Sequence, residues 1–298
     1  MQLVLFFIPN NVLAEEGSIK VTATIAHYAD YLSNILPNNF SIKSLIGTGV
    51  DPHLYKMSKN DLKQLLDSDL IIFNGLHLEG RMVEVSDKLK DSGKRVIKVG
   101  ESIDQKELIS KSDQTLAYDP HIWMDPILFK QSLLVLSEKI IEIYPEHKEQ
   151  ILLNQKKYFS DYDTRLNGLF NKLSSIPENN RYLITAHDAF GYFGKRFKFN
   201  VIGVQGISTE SEAGISRIRE IIDIIIKNNI KTIFAETSVS DKSLKAIIEG
   251  AAARGYQVRI GETLYSDSLG PVNSTAHSYI GMIEHNFNSI IQGLSSNE

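Results

Sequence analysis

Residues 146–173 read EHKEQILLNQKKYFSDYDTRLNGLFNKL. These 28 residues contain no Pro and a single Gly. Lys, Gln, Tyr and Asp are threaded through the apolar positions, as in a long, half-exposed helix. At about 1.5 Å per residue such a helix reaches about 42 Å, enough to run the height of two lobes. Tyr144-Pro145 separates it from an earlier helical stretch that opens at Pro126.

On both sides of this span, strand-like and helix-like segments alternate. Upstream, Lys20–Ile25, Phe40–Ile46, Asp69–Asn74 and Arg95–Val99 read as short strands. An amphipathic stretch to Leu36 follows the first. Ser58-Lys59-Asn60-Asp61 reads as a capped helix start before Leu62, Leu65 and Leu66. Downstream, Arg181–Thr185, Asn200–Val204, Thr232–Ala235 and Gln257–Ile260 are strand candidates, with helices at Gly214–Lys227, Asp241–Arg254 and Tyr279–Leu294. The rhythm predicts an α/β fold: two lobes with mostly parallel sheets, joined by one long backbone helix. The expected division is an N-terminal α/β lobe over 15–145, a linking long helix over 146–175 and a C-terminal α/β lobe over 176–298.

Composition narrows the function. Of 298 residues, 42% are hydrophobic and 23% charged, too apolar for a disordered chain. The net charge of −4 supplies no phosphate-neutralising excess, so nucleic acid is not an expected partner. No apolar run approaches the roughly 18 residues of a membrane span. Cys is absent, which excludes disulfides, thiolate metal sites and cysteine nucleophiles. Residues 1–14 read as a signal peptide: Leu3–Ile8 is apolar, and Val12-Leu13-Ala14 places small residues for a cut after Ala14. The basic leader of such a segment is missing, since no Lys or Arg precedes Lys20. Export predicts a periplasmic protein, and without Cys at the cut no lipid anchor is expected.

Eight His residues occur, two in one local frame: Asp51-Pro52-His53-Leu54-Tyr55 and Asp119-Pro120-His121-Ile122-Trp123. Pro stiffens the approach to each imidazole, and the preceding Asp is placed to orient it. The blander reading is a pair of Asp-Pro turns carrying surface His residues. His187 follows the strand at Arg181–Thr185, at the usual ligand edge of an α/β sheet. Asp267 sits in the loop after the strand at Gln257–Ile260. Three imidazoles and a carboxylate would suit Zn²⁺ and tolerate Mn²⁺. His27 follows the first strand and is a further candidate for the cleft. Asp125, Asp188, Ser266 and Ser268 are candidates for supporting roles, with helix capping or solvation as the ordinary alternative.

These stretches, together with Asn74-Gly75-Leu76-His77-Leu78-Glu79 and Thr185-Ala186-His187-Asp188-Ala189-Phe190-Gly191-Tyr192-Phe193, resemble the metal-binding proteins of zinc/manganese ABC importers. These are the cluster A-I (family 9) solute-binding proteins, and the TroA-like branch fits best. The resemblance runs from about Ile19 to Leu294. It implies two lobes bridged by a long helix, with His53, His121, His187 and Asp267 as ligands of Zn²⁺ or Mn²⁺ carried as cargo. It also implies a membrane permease with its cytoplasmic ATPase as partner, and a monomeric carrier. His77 falls in a family stretch but is expected only to pack or hydrogen-bond near a helix start. Gly100–Asp119 is short and holds no His, unlike the His-rich loop of many zinc-specific members. His187 stands where manganese-dedicated members often have Glu, so the two signals conflict on the metal.

Two rival classes follow from the same residues: a metal-dependent hydrolase, and an adhesin-type surface-binding protein on the same fold. No His-Glu-x-x-His helix, Gly-x-Ser-x-Gly elbow or Gly-rich phosphate loop is present, so no enzyme is expected. Histidine ligation predicts that affinity falls through the imidazole range near about 6.5. One stiff helix predicts local loop rearrangement on loading rather than a wide swing of the lobes.

Overall fold

The computed structural model describes residues 17–110 and 117–295. The expected signal peptide and its cut after Ala14 lie outside them. The first lobe comprises β1 (Ile19–Ala23), α1 (Ala26–Ile35), β2 (Phe40–Ser44), α2 (Lys59–Asp67), β3 (Leu70–Phe73), α3 (Val83–Asp91) and β4 (Arg95–Lys98). Its four strands are parallel in the order β2-β1-β3-β4. All four residues of β3, Leu-Ile-Ile-Phe, are buried, the mark of a parallel strand covered on both faces. The helix start at Ser58 is a reciprocal capping box. The Ser58 hydroxyl accepts from the Asp61 N–H at 3.2 Å, and the Asp61 carboxylate accepts from the Ser58 N–H at 2.6 Å.

Two helices follow, α4 (Pro126–Ile143) and α5 (Lys148–Ser174). Helix α5 opens two residues later than its sequence suggests, because Pro145–His147 forms a 3-10 turn. The second lobe holds β5 (Tyr182–Thr185), α6 (Gly191–Phe197), β6 (Asn200–Gly203), α7 (Ile215–Lys227), β7 (Thr232–Ile233), α8 (Lys242–Ala253), β8 (Arg259–Ile260) and α9 (Tyr279–Ser295). Strands pair in parallel as β5-β6 and β7-β8. A parallel bridge from Thr185 to Phe234 joins the pairs, so the order β6-β5-β7-β8 repeats that of the first sheet.

The lobes share a core. Tyr28, Phe129, Tyr162 and Tyr279 are fully buried together; the Phe129 and Tyr279 rings lie 4.4 Å apart, and Tyr162 stacks on Tyr279. Phe193 and Phe287 continue this cluster into the second lobe. A smaller aliphatic core, including Ile184, Ile225, Ile233 and Ile247, lies within the second lobe. Arg165 of α5 pairs with Glu284 of α9, tying the long helix to the last one. No helix among the described residues is long and apolar enough to cross a membrane.

Candidate metal centre

In each sheet the chain reverses its direction of strand addition between two central strands, β1 and β3 or β5 and β7. Loops leaving the carboxyl ends there diverge and leave a crevice. His53 lies on the loop after β2, His121 just before α4, His187 two residues past β5 and Asp267 beyond β8. The structure brings these four together, with one ligating atom from each within 4.8 Å of all the others. His53 Nε2 is 3.2 Å from His121 Nε2 and 4.0 Å from Asp267 Oδ2. His121 Nε2 is 3.4 Å from Asp267 Oδ1, and His187 Nε2 is 3.2 Å from Asp267 Oδ2. Four ligands at 2.0–2.1 Å from a tetrahedral zinc ion stand about 3.3–3.4 Å apart. Three of the four separations match that spacing, and His53 stands slightly farther from Asp267.

Both Asp267 oxygens turn toward imidazoles, and neither receives a backbone or hydroxyl hydrogen bond. One oxygen gives four donors around an ion, two give five. His121, His187 and Asp267 are fully buried and His53 is 4% exposed, so His53 forms the outermost wall.

The two Asp-Pro-His frames work differently. Asp119 Oδ1 accepts from both the backbone N–H and Nδ1–H of His121, at 3.0 and 2.8 Å. That fixes the tautomer and frees Nε2 for an ion. Asp51 Oδ1 accepts only the backbone N–H of His53, at 2.8 Å, and its other oxygen takes the Thr209 hydroxyl from the second lobe. Asp51 thus shapes the loop rather than the ring.

Sequence reasoning missed Glu236 as a partner of His187. Glu236 Oε1 accepts the His187 N–H at 2.8 Å, and Oε2 lies 2.6 Å from Nδ1. The available signal was an acidic residue closing the apolar run of β7. Asp125 takes the ordinary role: it caps α4 through the Ile127 and Leu128 N–H groups and pairs with Arg196. The Ser268 hydroxyl accepts the Gly49 N–H at 2.9 Å, pinning the Asp267 loop to the His53 loop.

A second missed group lies behind His121. The buried Glu79 carboxylate accepts from the Thr24 hydroxyl and from the Asn74 and Gly75 N–H groups. Asn74 donates in turn to the Pro120 carbonyl, one residue before His121. This clamp spans a left-handed turn with φ of +75° at Gly75, +52° at Leu76 and +63° at His77. Left-handed backbone costs about 1–3 kcal/mol at a non-Gly residue, so Glu79 offsets strain that places Asn74. His77 is exposed on this turn, so of the two roles expected of it, packing or hydrogen-bonding near a helix start, packing does not hold. His27 is fully buried with neither ring nitrogen hydrogen-bonded, its ring 5.1 Å from that of Trp123.

Burial penalises charge on every group here, and the neighbours decide the outcome. For His121, burial is outweighed by Asp119 and Asp267, which raise its pKa to about 9. Burial of His187 is likewise outweighed by Glu236 and Asp267, which hold it well above 6.5. Asp267 resists the upward push of burial because His187 and His121 face it, and its pKa falls well below 3.8. Burial dominates at His53, lowering it to about 3 despite Asp267, with His121 and His187 adding to the fall. Burial also takes His27 to about 3, against the pull of Asp267. The acidic neighbours thus push His121 and His187 toward their protonated forms, while burial pushes His53 and His27 toward the neutral form.

Residues 21–293 match the profile of the ZnuA family, described as zinc-uptake complex component A, periplasmic. The chain is 38% identical over 279 residues to the manganese-binding lipoprotein MntA of Bacillus subtilis, covering 94% of this chain and 90% of that one. It is 36% identical over 282 residues to the zinc-binding protein TroA of Treponema pallidum, covering 95% and 91%. The solved structure of the latter, a periplasmic zinc-binding protein, superposes with a TM-score of 0.89 over 93% of this chain and 99% of that one.

Proposed function

As a member of the ZnuA family, we propose, this chain is an extracytoplasmic solute-binding protein that captures one divalent Zn²⁺ or Mn²⁺ ion and delivers it to an ABC permease with a cytoplasmic ATPase. The observation that carries this reading is the buried convergence of His53, His121, His187 and Asp267 within 4.8 Å. Neutral His53, deprotonated His121 and His187, and ionised Asp267 are the proposed ligands. In this reading residues 15–145 and 176–298 are the lobes, 146–175 is the link, and the carrier works as a periplasmic monomer. The relatives named for manganese and for zinc support cargo of this class.

Carriage is favoured over hydrolysis because four protein donors close the shell, whereas a hydrolytic zinc site keeps a position open for water. The test is to strip the protein with chelator, reload it separately with Zn²⁺ and Mn²⁺, desalt, and count metal by mass spectrometry. One equivalent per chain, lost in His121→Ala, is expected. No binding of either ion by equilibrium titration, or metal-dependent turnover of esters, phosphates or peptides at enzymatic rates, would overturn the carrier reading.

A further inference from the structure

Trp123 is the only tryptophan of the chain and is fully buried. It stands two residues after His121, and its ring meets the His121 ring edge-on at 5.3 Å. Its indole Nε1–H donates at 2.7 Å to the carbonyl of Ser266, 143 residues away in the other lobe. Ser266 immediately precedes Asp267. The Trp123 carbonyl is itself held by the Tyr279 hydroxyl at 2.7 Å, so the donor is anchored at its own backbone. A buried carbonyl needs a donor, and the indole offers a single N–H and no acceptor, so the two satisfy each other.

We infer that Trp123 is a positioning residue for Asp267: its N–H reaches across the lobes and fixes the peptide from which the carboxylate projects between His121 and His187. The inference rests on the metal-capture reading above. Plain space-filling by the indole ring predicts something different, because it needs the bicyclic shape but not the N–H.

The single tryptophan makes the two separable. In a tryptophan auxotroph, 3-benzothienylalanine replaces this one N–H by sulfur and keeps the ring shape. A second chain carrying 4-fluorotryptophan keeps the donor, and Trp123→Phe removes donor and ring together. Outer contacts of this kind are worth about 10- to 100-fold in metal affinity. The expected result is a loss of that size in zinc affinity for the sulfur chain, carried by faster release. The visible bands of its cobalt(II) form should shift, its far-UV circular dichroism should be unchanged, and 4-fluorotryptophan should behave as native. Trp123→Phe should lose at least as much. Native zinc affinity and an unshifted cobalt spectrum in the sulfur chain would reduce Trp123 to packing and overturn the inference. Should the native chain itself bind no zinc, the metal-capture reading fails first and this one falls with it.

Discussion

Zinc affinity should rise with pH between 7.0 and 8.5, by about 10-fold per pH unit for each proton that the ion displaces. Each captured ion must displace the Nε2 proton of His121, which lies 3.4 Å from Asp267 while Asp119 holds Nδ1 at 2.8 Å. It must also displace that of His187, placed between Asp267 at 3.2 Å and Glu236 at 2.6 Å. His121 keeps its proton up to about pH 9, and His187 is held well above 6.5. His53, at about 3, and Asp267, well below 3.8, release nothing in this window. His121 gives up one proton per ion and His187 adds to the count, each proton being worth about 1.4 kcal/mol per pH unit. The sign follows from competition: protons occupy the raised imidazoles at low pH, so affinity climbs as pH rises and flattens first near 9. Imidazoles at their ordinary 6.5 would instead give a nearly flat profile above about pH 7.5. Competition against a zinc chelator of known pH dependence reads the slope. Calorimetry in two buffers of different ionisation enthalpy counts the protons. Fewer than one proton released at pH 7.5, or affinity flat from 7.5 to 8.5, would refute the reasoning.

Two substitutions probe the surroundings. Glu236→Gln keeps the shape beside His187 but replaces a charge-assisted hydrogen bond with a neutral one. Zinc affinity should fall about 10- to 100-fold and the number of protons released near pH 7.5 should drop toward one, whereas unchanged proton release would show that Glu236 does not set the His187 charge. His27→Leu removes two buried ring nitrogens that lack hydrogen bonds. An unsatisfied buried polar group costs about 1–3 kcal/mol, so the metal-free protein should melt a few degrees higher and hold zinc as before; a lower melting temperature with weakened zinc would place His27 in the binding network.

The fold was legible because its elements carry strong local signals. Ser58 and Asp61 announce a helix start, Pro126 and Pro145 bracket α4, and the apolar run at 70–73 is a buried strand at sight. The four converging residues were legible too, three of them from loops marked by Asp-Pro-His or by a strand end. Glu236 was not, because its pairing with His187 spans 49 residues and depends on β7 lying next to β5. Glu79 was hidden by the left-handed turn that swings it beneath the strand ends, which no periodicity encodes. The shift of the imidazole window likewise comes from charges gathered by tertiary contact, not by spacing.

The aromatic seam between the lobes bears on time as well as stability. Tyr279 touches Phe129 and Tyr162 and, through its hydroxyl, Trp123. Three such side chains hold about 600 Å² of surface, and exposing half of it costs about 7 kcal/mol. A clam-shell opened along that seam would then occur in about one molecule in 10⁵, on the rule that 1.4 kcal/mol is a factor of ten. At the rim, by contrast, the loop bearing His53 is fastened to the second lobe by two hydrogen bonds, Gly49 to Ser268 and Thr209 to Asp51. Loosening those two fastenings would open the wall beside His53 without parting the aromatic seam.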